Sequence, residues 1–201
     1  MLPRQSASTG ASRIKDNTQI QNNMKTFLEI GTSYFDTLNY LADRGWQGIQ
    51  VEPIKKYQDK IERKENVHYE NSAIYYENTD KLEMSIAPDE IVAKDPDFAG
   101  MSSIVRKNGK YLTEKVLVNG ITFETLFEKY DVKAVDLLKV DVEGYDWHVL
   151  SLFPYHILKP KYIQAECKHW RGQDKPYMKA LLVGHGYHVT LDQENLYAIL
   201  I

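Results

Sequence analysis

Short apolar and polar blocks alternate along the chain and predict strands and helices in turn. The apolar run Thr26–Gly31 ends at a glycine, as a buried strand often does, and the following segment, Ser33–Gly45, predicts a helix capped by Ser33. Further strands are predicted over 46–53, 66–75, 81–87, 115–120, 134–141, 161–166, 186–191 and 195–201, and further helices over 13–24, 54–64, 122–130, 145–153 and 175–183. Because strands alternate with helices, we expect an α/β fold with a mainly parallel sheet, helices on both faces and an antiparallel edge.

The length and composition of the chain fit one domain. With 201 residues, of which 43% are hydrophobic, the chain can bury one ordinary core. Residues 1–12 are rich in Ser, Gly, Ala and Thr and lack periodicity, so we expect a disordered lead-in or linker before a domain over 13–201. Because the sequence stops within a predicted strand, we expect this domain to be the C-terminal part of a longer protein. The irregular segment 81–120 is expected to contain a substrate-selecting lid.

The charge and cysteine content narrow the function classes. The chain has 25 Lys and Arg against 28 Asp and Glu, a net charge of -3, which argues against a nucleic acid or an anionic membrane as the main partner. A single cysteine, Cys167, excludes an internal disulfide and a zinc site with several cysteines, and it fits a reducing compartment. No stretch reaches the roughly 18 apolar residues that a membrane span needs. We therefore expect a soluble, cytoplasmic protein.

The end of the first predicted strand is the first candidate site. Glu29, Gly31, Thr32 and Ser33 follow one another there, where open α/β sheets bind their ligands. Gly31 permits close approach of the backbone, and exposed amides at a helix start can meet a carboxylate. The motif is not G-x-G-x-x-G, so a dinucleotide oxidoreductase loses support. An ordinary structural turn explains the same residues.

Glu52 is the second candidate, 21 residues after Gly31 and at the end of the second predicted strand. An acidic side chain in this position can accept hydrogen bonds from both ribose hydroxyls of an adenosine cofactor. A surface glutamate would explain Glu52 alone equally well. The two motifs together indicate a ligand that contains a nucleoside.

The segment Leu137–Leu150 is the most specific candidate, because it places Asp141 and Glu143 beside Gly144 at the end of a buried strand. Two carboxylates at one sheet edge are costly unless they bind a metal, another cation or a substrate proton. The alternative is that they cap the helix predicted to begin at Tyr145.

These motifs together resemble the FkbM-type S-adenosylmethionine-dependent methyltransferases over roughly Thr26–Leu200. The resemblance is carried by FLEIGTS, VEP, Asn71–Ile74, Gly100–Val105, Val118–Leu126 and above all DLLKVDVEGYDWHVL. It implies a Rossmann-like class I methyltransferase fold with a seven-stranded sheet, S-adenosylmethionine as cofactor and, as in most members, methyl transfer to oxygen. The cofactor contacts that it implies are Glu29, Gly31, Thr32, Ser33, Glu52, Pro53, Ser72, Ala73 and Asp141. One departure is that Phe35 or Asp36 replaces the usual small residue later in the first motif.

Glu166 and His169 extend the predicted catalytic set. Adjacent strand ends face one crevice, so Asp141 and Glu166 are expected to point at the substrate together. With Glu143 and His169 they offer oxygen ligands and one imidazole, which suit Mg²⁺ or Mn²⁺ better than zinc. We predict either a metal held by Asp141 and Glu166 or His169 acting as the base.

The resemblance further implies an O-methyltransferase that acts on a sugar hydroxyl, with a glycan deoxysugar such as rhamnose or fucose as the leading candidate. Neighbouring glycosyltransferase domains in a longer chain would then build the glycan that is methylated. Tyr34, Tyr145 and Trp170 are candidates to stack on a sugar, or they pack in the core. The alternatives are methylation of a small natural product and a domain that binds S-adenosylmethionine without turnover.

Overall fold

The computed structural model describes residues 24–34, 37–104 and 110–201. Seven of the described strands form one sheet: β1 Thr26–Ile30, β2 Gln47–Val51, β3 Val67–Glu70, β7 Leu137–Val140, β8 Tyr162–Glu166, β9 Tyr187–Leu191 and β10 Asn195–Leu200. Their order is β3-β2-β1-β7-β8-β10-β9, and β10 runs antiparallel to both of its neighbours while the other pairs are parallel. The predicted α/β fold, with its mainly parallel seven-stranded sheet and antiparallel edge, is confirmed.

A second, small sheet was not foreseen. It contains β4 Ala73–Ile74, β5 Thr79–Ile86 and β6 Glu114–Ile121, in the order β4-β6-β5. The single strand predicted over 66–75 is therefore wrong, because the chain leaves the main sheet after β3 and pairs with β6 instead. The side chain of Asn71 fixes this change of direction, since its amide donates to the backbone carbonyls of Glu52 and Pro53 at 2.8 and 3.0 Å.

Six α-helices lie in the described part of the chain: α1 Asn39–Ala42, α2 Lys55–Gln58, α3 Asp89–Val92, α4 Phe123–Lys129, α5 Asp146–Leu152 and α6 Asp174–Gly184. A 3-10 helix, Pro96–Ala99, follows α3. Helix α4 begins as predicted, with the Thr122 hydroxyl accepting a hydrogen bond from the amide of Thr125 at 3.2 Å.

Helices α1 and α2 are much shorter than the sequence pattern predicts. Ser33 does not cap α1, because it has a positive φ of 49° and the helix starts six residues later, at Asn39. The helix predicted over 54–64 likewise contracts to a single turn in α2. The linker predicted over 1–12, nearly all of the helix predicted over 13–24, and residues 35 and 36 lie outside the described residues.

The main sheet packs on both faces. On one face Leu138 and Val140 lie in the largest apolar cluster with Val149 of α5 and Met178 of α6, all of them almost fully buried. On the other face Phe27 packs against the apolar side of α1. Fully burying a side chain of this size contributes roughly 1.5–3 kcal/mol, so the two layers hold the strand ends in a fixed arrangement. Among the described residues no helix is long and apolar enough to cross a membrane.

Candidate active site

A cleft with an empty volume of about 540 Å³ opens where β1, β2 and β7 end. Six residues that were predicted to bind the cofactor line it: Gly31, Ser33, Glu52, Pro53, Ala73 and Asp141. The other three, Glu29, Thr32 and Ser72, are buried and do not line it. The cleft thus joins the motifs that lie far apart in the sequence.

The turn after β1 is built around Gly31. Its φ is +83°, and a Cβ added there would lie 1.8 Å from the carbonyl oxygen of Asp141, which passes directly beside it. The Ser33 amide donates to the Glu52 carboxylate at 2.8 Å, so the turn is held from the neighbouring strand. The Ser33 hydroxyl is buried and has no hydrogen-bond partner among the described residues. A buried polar group in this state costs about 1–3 kcal/mol, which a polar ligand atom in the cleft would recover.

Glu52 has a double role at the floor of the cleft. One carboxylate oxygen accepts from the Ser33 amide and the other from the Ile54 amide, each at 2.8 Å. Burial raises the pKa of Glu52 to about 7, although these two hydrogen bonds oppose the shift. Each carboxylate oxygen can accept a second hydrogen bond, so Glu52 can fix the turn and receive ligand hydroxyls together.

Glu29 occupies a different place from the one that the sequence suggested. It is fully buried in the sheet, where it accepts hydrogen bonds from the Gln50 amide at 2.8 Å and the Leu38 backbone at 3.0 Å. The ammonium group of Lys139 lies 3.3 Å from its other oxygen. Burial raises the pKa of Glu29 and the Lys139 charge opposes this rise. Glu29 therefore ties β1 to β2 and β7 and does not line the cleft.

Ser72 also supports the scaffold around the cleft. The Ser72 hydroxyl donates a hydrogen bond to the Glu70 carboxylate at 2.7 Å. The ammonium group of Lys129 donates to the other Glu70 oxygen, also at 2.7 Å. This network anchors the residue before Ala73. Thr32 is 1% exposed, and its buried hydroxyl has no hydrogen-bond partner among the described residues.

The four predicted catalytic residues come together beside the cleft. In one group Glu143, Glu166 and His169 each place a ligand atom within 4.8 Å of the others, and in a second group Asp141, Asp146 and Glu166 do the same. The His169 Nε2 atom is 3.3 Å from a Glu143 oxygen and 3.6 Å from a Glu166 oxygen. The second Glu166 oxygen pairs with Lys168. Asp141 belongs to the second of these groups and also lines the cleft.

Asp146 was missed by the sequence reasoning. Its two carboxylate oxygens accept hydrogen bonds from the backbone amides of Val142 and Gly144, each at 2.9 Å. These two bonds close the turn before α5. Burial raises the pKa of Asp146 to about 7, and the negative charge of Asp141 adds to the rise. Glu143 and Gly144 both have positive φ values in this turn. The acidic residue at the start of α5 was the available signal for Asp146.

The donor set suits a hard cation or a shared proton. Mg²⁺ and Ca²⁺ bind carboxylate oxygens at about 2.0–2.6 Å, so two ligands of one ion lie no more than about twice that distance apart. In the two groups that contain Glu166 the ligand atoms lie within 4.8 Å of one another, a separation that Ca²⁺ can bridge and that would have to shorten to about 4.2 Å for Mg²⁺. One oxygen of Glu166, a residue that is only 9% exposed, has no hydrogen-bond partner in the described part of the chain.

The aromatic candidates separate into different environments. Tyr145 lines the cleft, and its ring stacks on His148 with the centroids 4.4 Å apart. Trp170 is buried in the main core, as its alternative interpretation predicted. Tyr34 packs on the ring of Tyr57. The sequence reasoning did not identify the apolar lining that the second sheet and its connection contribute: Ile74, Met84, Ala99 and Ile104.

Comparison with known proteins identifies a family that the sequence matches. The family model described as the methyltransferase FkbM domain matches residues 19–189. The chain is similar to magnesium protoporphyrin IX methyltransferase from Synechocystis PCC 6803, solved with bound SAM, at 8% identity over 91% of this chain and 74% of that one, with a TM-score of 0.42. It is also similar to precorrin-6y C5,15-methyltransferase from Geobacter metallireducens GS-15, at 10% identity over 95% and 90% of the two chains, with a TM-score of 0.41. Among proteins of curated function none matches the sequence significantly.

Proposed function

The chain belongs to the FkbM methyltransferase domain family, and on that basis we propose that it transfers the methyl group of S-adenosylmethionine to a hydroxyl oxygen of a sugar. One observation supports oxygen as the methyl acceptor. Asp141, Glu143, Glu166 and His169 form a cluster that adjoins the cleft through Asp141. Such a cluster handles a proton or a cation, which a hydroxyl acceptor requires and an already deprotonated acceptor does not.

The chemistry of the cleft lining supports S-adenosylmethionine as its occupant. The Ser33 hydroxyl, which has no hydrogen-bond partner in the described part of the chain, suits the polar amino-acid end of the cofactor, and Glu52 suits the ribose hydroxyls. The apolar wall that includes Ile74, Val142 and Tyr145 suits the adenine ring. When bound, the cofactor supplies a methyl group that is activated by its sulfonium charge. The remaining tasks of the protein are to position the acceptor oxygen in line with that group and to manage its proton.

His169 is one candidate for the proton acceptor. An aliphatic hydroxyl has a pKa far above 7, so a base at the acceptor oxygen favours transfer. Glu143 and Glu166 lie 3.3 and 3.6 Å from His169 Nε2, and their charges would stabilise the imidazolium that forms. In this mechanism the two carboxylates position and support the base.

Asp141 and Glu166 give a second candidate, in which they hold Mg²⁺ or Mn²⁺. A divalent ion there would neutralise the carboxylates and lower the pKa of a nearby hydroxyl. The short separations between the oxygens of Asp141, Asp146 and Glu166 support this arrangement. The response to a chelator distinguishes the two mechanisms.

For the acceptor we propose a glycan deoxysugar such as rhamnose or fucose. Neighbouring glycosyltransferase domains in a longer protein would supply the glycan. A small natural product is the alternative acceptor, and a domain that binds the cofactor without turnover is the alternative to an enzyme.

The test incubates the protein with S-adenosylmethionine and a panel of oligosaccharides, with and without EDTA, and follows the gain of one methyl mass. We expect transfer to at least one hexose or deoxyhexose glycan. Cofactor binding by calorimetry without transfer to any acceptor would instead establish a binding domain. Full activity in EDTA would exclude the metal and would leave His169 or one of the carboxylates as the base.

A further inference from the structure

A second cavity, open to solvent, lies where β7 and β8 end and β10 begins. Apart from Val140, the residues that line it are polar: Lys139, Asp141, Gln164, Glu166, Glu194 and Asn195. Asp141 lines both this cavity and the cleft, so the two adjoin each other at that residue. We call the second space the polar cavity.

The strand register explains why these residues meet. Lys139 is paired with Gln164 across β7 and β8, and Glu166 is paired with Asn195 across β8 and β10. Side chains two residues apart on a strand share a face, so Gln164 and Glu166 point to the same side of the sheet. Leu138 and Val140 point to the opposite side, into the apolar core. The polar cavity is therefore built on one face of three neighbouring strands.

Lys139 is an unexpected residue for the interior of a sheet. Its side chain is 9% exposed, and its ammonium group lies 3.3 Å from the fully buried Glu29. Taking two charges out of water costs several kcal/mol per ion, and an apolar pair in the same place often gives equal or greater stability. The charged pair is thus poorly explained by stability alone. Its position at a polar cavity gives the ammonium group a second use, as a hydrogen-bond donor.

Glu166 supplies independent support for a ligand. It is 9% exposed, and one of its oxygens has no hydrogen-bond partner among the described residues although it lines the cavity. The cavity therefore combines donors on Lys139 and the amides of Gln164 and Asn195 with acceptors on Asp141 and Glu166. Each hydroxyl of a polyol is one donor and two acceptors, so a polyol satisfies both kinds of group.

We propose that the polar cavity is the acceptor subsite and that it takes a hydroxyl-rich acceptor, with Lys139 and Gln164 donating to acceptor oxygens. This inference rests on the proposed O-methyl transfer and specifies which residues select the acceptor. It places the acceptor on the far side of Asp141 from the cofactor cleft. Lys139 then determines acceptor affinity and has no contact with the cofactor.

The test separates this role of Lys139 from its role as the partner of Glu29. Replacing Lys139 alone leaves a buried glutamate unpaired and endangers folding, so the main variant is the double change Glu29→Gln with Lys139→Met. We expect it to bind S-adenosylmethionine with wild-type affinity by calorimetry. The KM for the preferred glycoside should rise by roughly tenfold to a hundredfold, the loss expected for a hydrogen bond from a charged donor.

Two further variants complete the design. Gln164→Leu changes the cavity without touching the Glu29–Lys139 pair and should raise the KM in the same direction. The matched control is Asp136→Asn with Lys161→Met, which removes an ion pair of 2.6 Å near the start of β7, away from the cavity. This control should leave the KM unchanged.

The outcomes distinguish the possibilities. A folded double variant and a Gln164→Leu variant that both keep the wild-type KM would overturn the assignment of the cavity, while methyl transfer by the wild type would still support the proposed function. If the double variant does not fold, the Gln164→Leu variant alone decides. If the wild type methylates no hydroxyl compound at all, the proposed function fails and the acceptor subsite fails with it.

Discussion

Glu52 offers the sharpest test of the cofactor site, because its ionisation state and its ligand contacts are linked. Burial raises its pKa from 4.5 to about 7, so near neutral pH the carboxyl is only partly ionised. Ribose hydroxyls donate hydrogen bonds to the ionised form. If only that form binds well, the affinity for S-adenosylmethionine should fall about tenfold between pH 8 and pH 6, because the ionised fraction falls by about that factor across a pKa of about 7.

The substitution Glu52→Gln should remove this pH dependence and weaken binding at pH 8 by about 1–3 kcal/mol. Calorimetry at pH 6, 7 and 8 in buffers of equal ionic strength measures both effects. The control Glu70→Gln removes a buried carboxylate at the end of neighbouring β3 that does not line the cleft, and it should keep the wild-type dependence. Equal pH slopes in the wild type and in Glu52→Gln would refute the assignment.

The same raised pKa has a consequence for stability. Between pH 4.5 and about 7 the folded protein holds the Glu52 proton more tightly than the unfolded chain does, so the free energy of unfolding falls as the pH rises through that window. The shift corresponds to about 3 kcal/mol. Asp146 acts with the same sign. Denaturant unfolding at pH 4.5 and pH 8 should therefore show a smaller loss of stability in Glu52→Gln than in the wild type, and an unchanged loss would contradict the effect of burial.

Three other changes test the remaining parts of the site. Asp141→Asn should lower kcat by orders of magnitude; a fully active variant would remove Asp141 from the chemistry. Gly31→Ala should destabilise the fold by several kcal/mol in thermal unfolding, since its Cβ would lie 1.8 Å from a backbone oxygen at a positive φ, and a stable variant would contradict the close approach. Deletion of residues 1–12 should leave the melting temperature and cofactor affinity unchanged, and a large loss of either would show that the segment is docked.

The sequence predicts the main sheet well, because its central strands are local apolar runs with recognisable ends. Parallel strands that end at one edge also bring Asp141 and Glu166 together, which their sequence separation of 25 residues does not suggest by itself. The second sheet was missed because the pairing of β4 with β6 joins residues almost 50 positions apart, and the two-residue strand has no periodicity of its own.

Glu29 and Lys139 show where local reasoning was incomplete. Glu29 was assigned to the cofactor from its nearness to Gly31, but the alternation of side chains along β1 turns it away from Ile30 and from the cleft. A lysine within the apolar run LLKVD was a visible signal of a buried cation. Its partner could not be read from the sequence, because the Glu29–Lys139 contact depends on the register of β1 with β7.

The most direct test of sugar O-methylation by this protein uses S-adenosylmethionine with a ¹³C-labelled methyl group and a panel of rhamnose- and fucose-containing oligosaccharides. We expect a product whose labelled carbon correlates by NMR with one sugar ring position, as an O-methyl ether does, and no such product with Asp141→Asn. Label found on nitrogen, carbon or sulfur of an acceptor, or cofactor binding without any labelled product, would contradict O-methylation of a sugar by this protein.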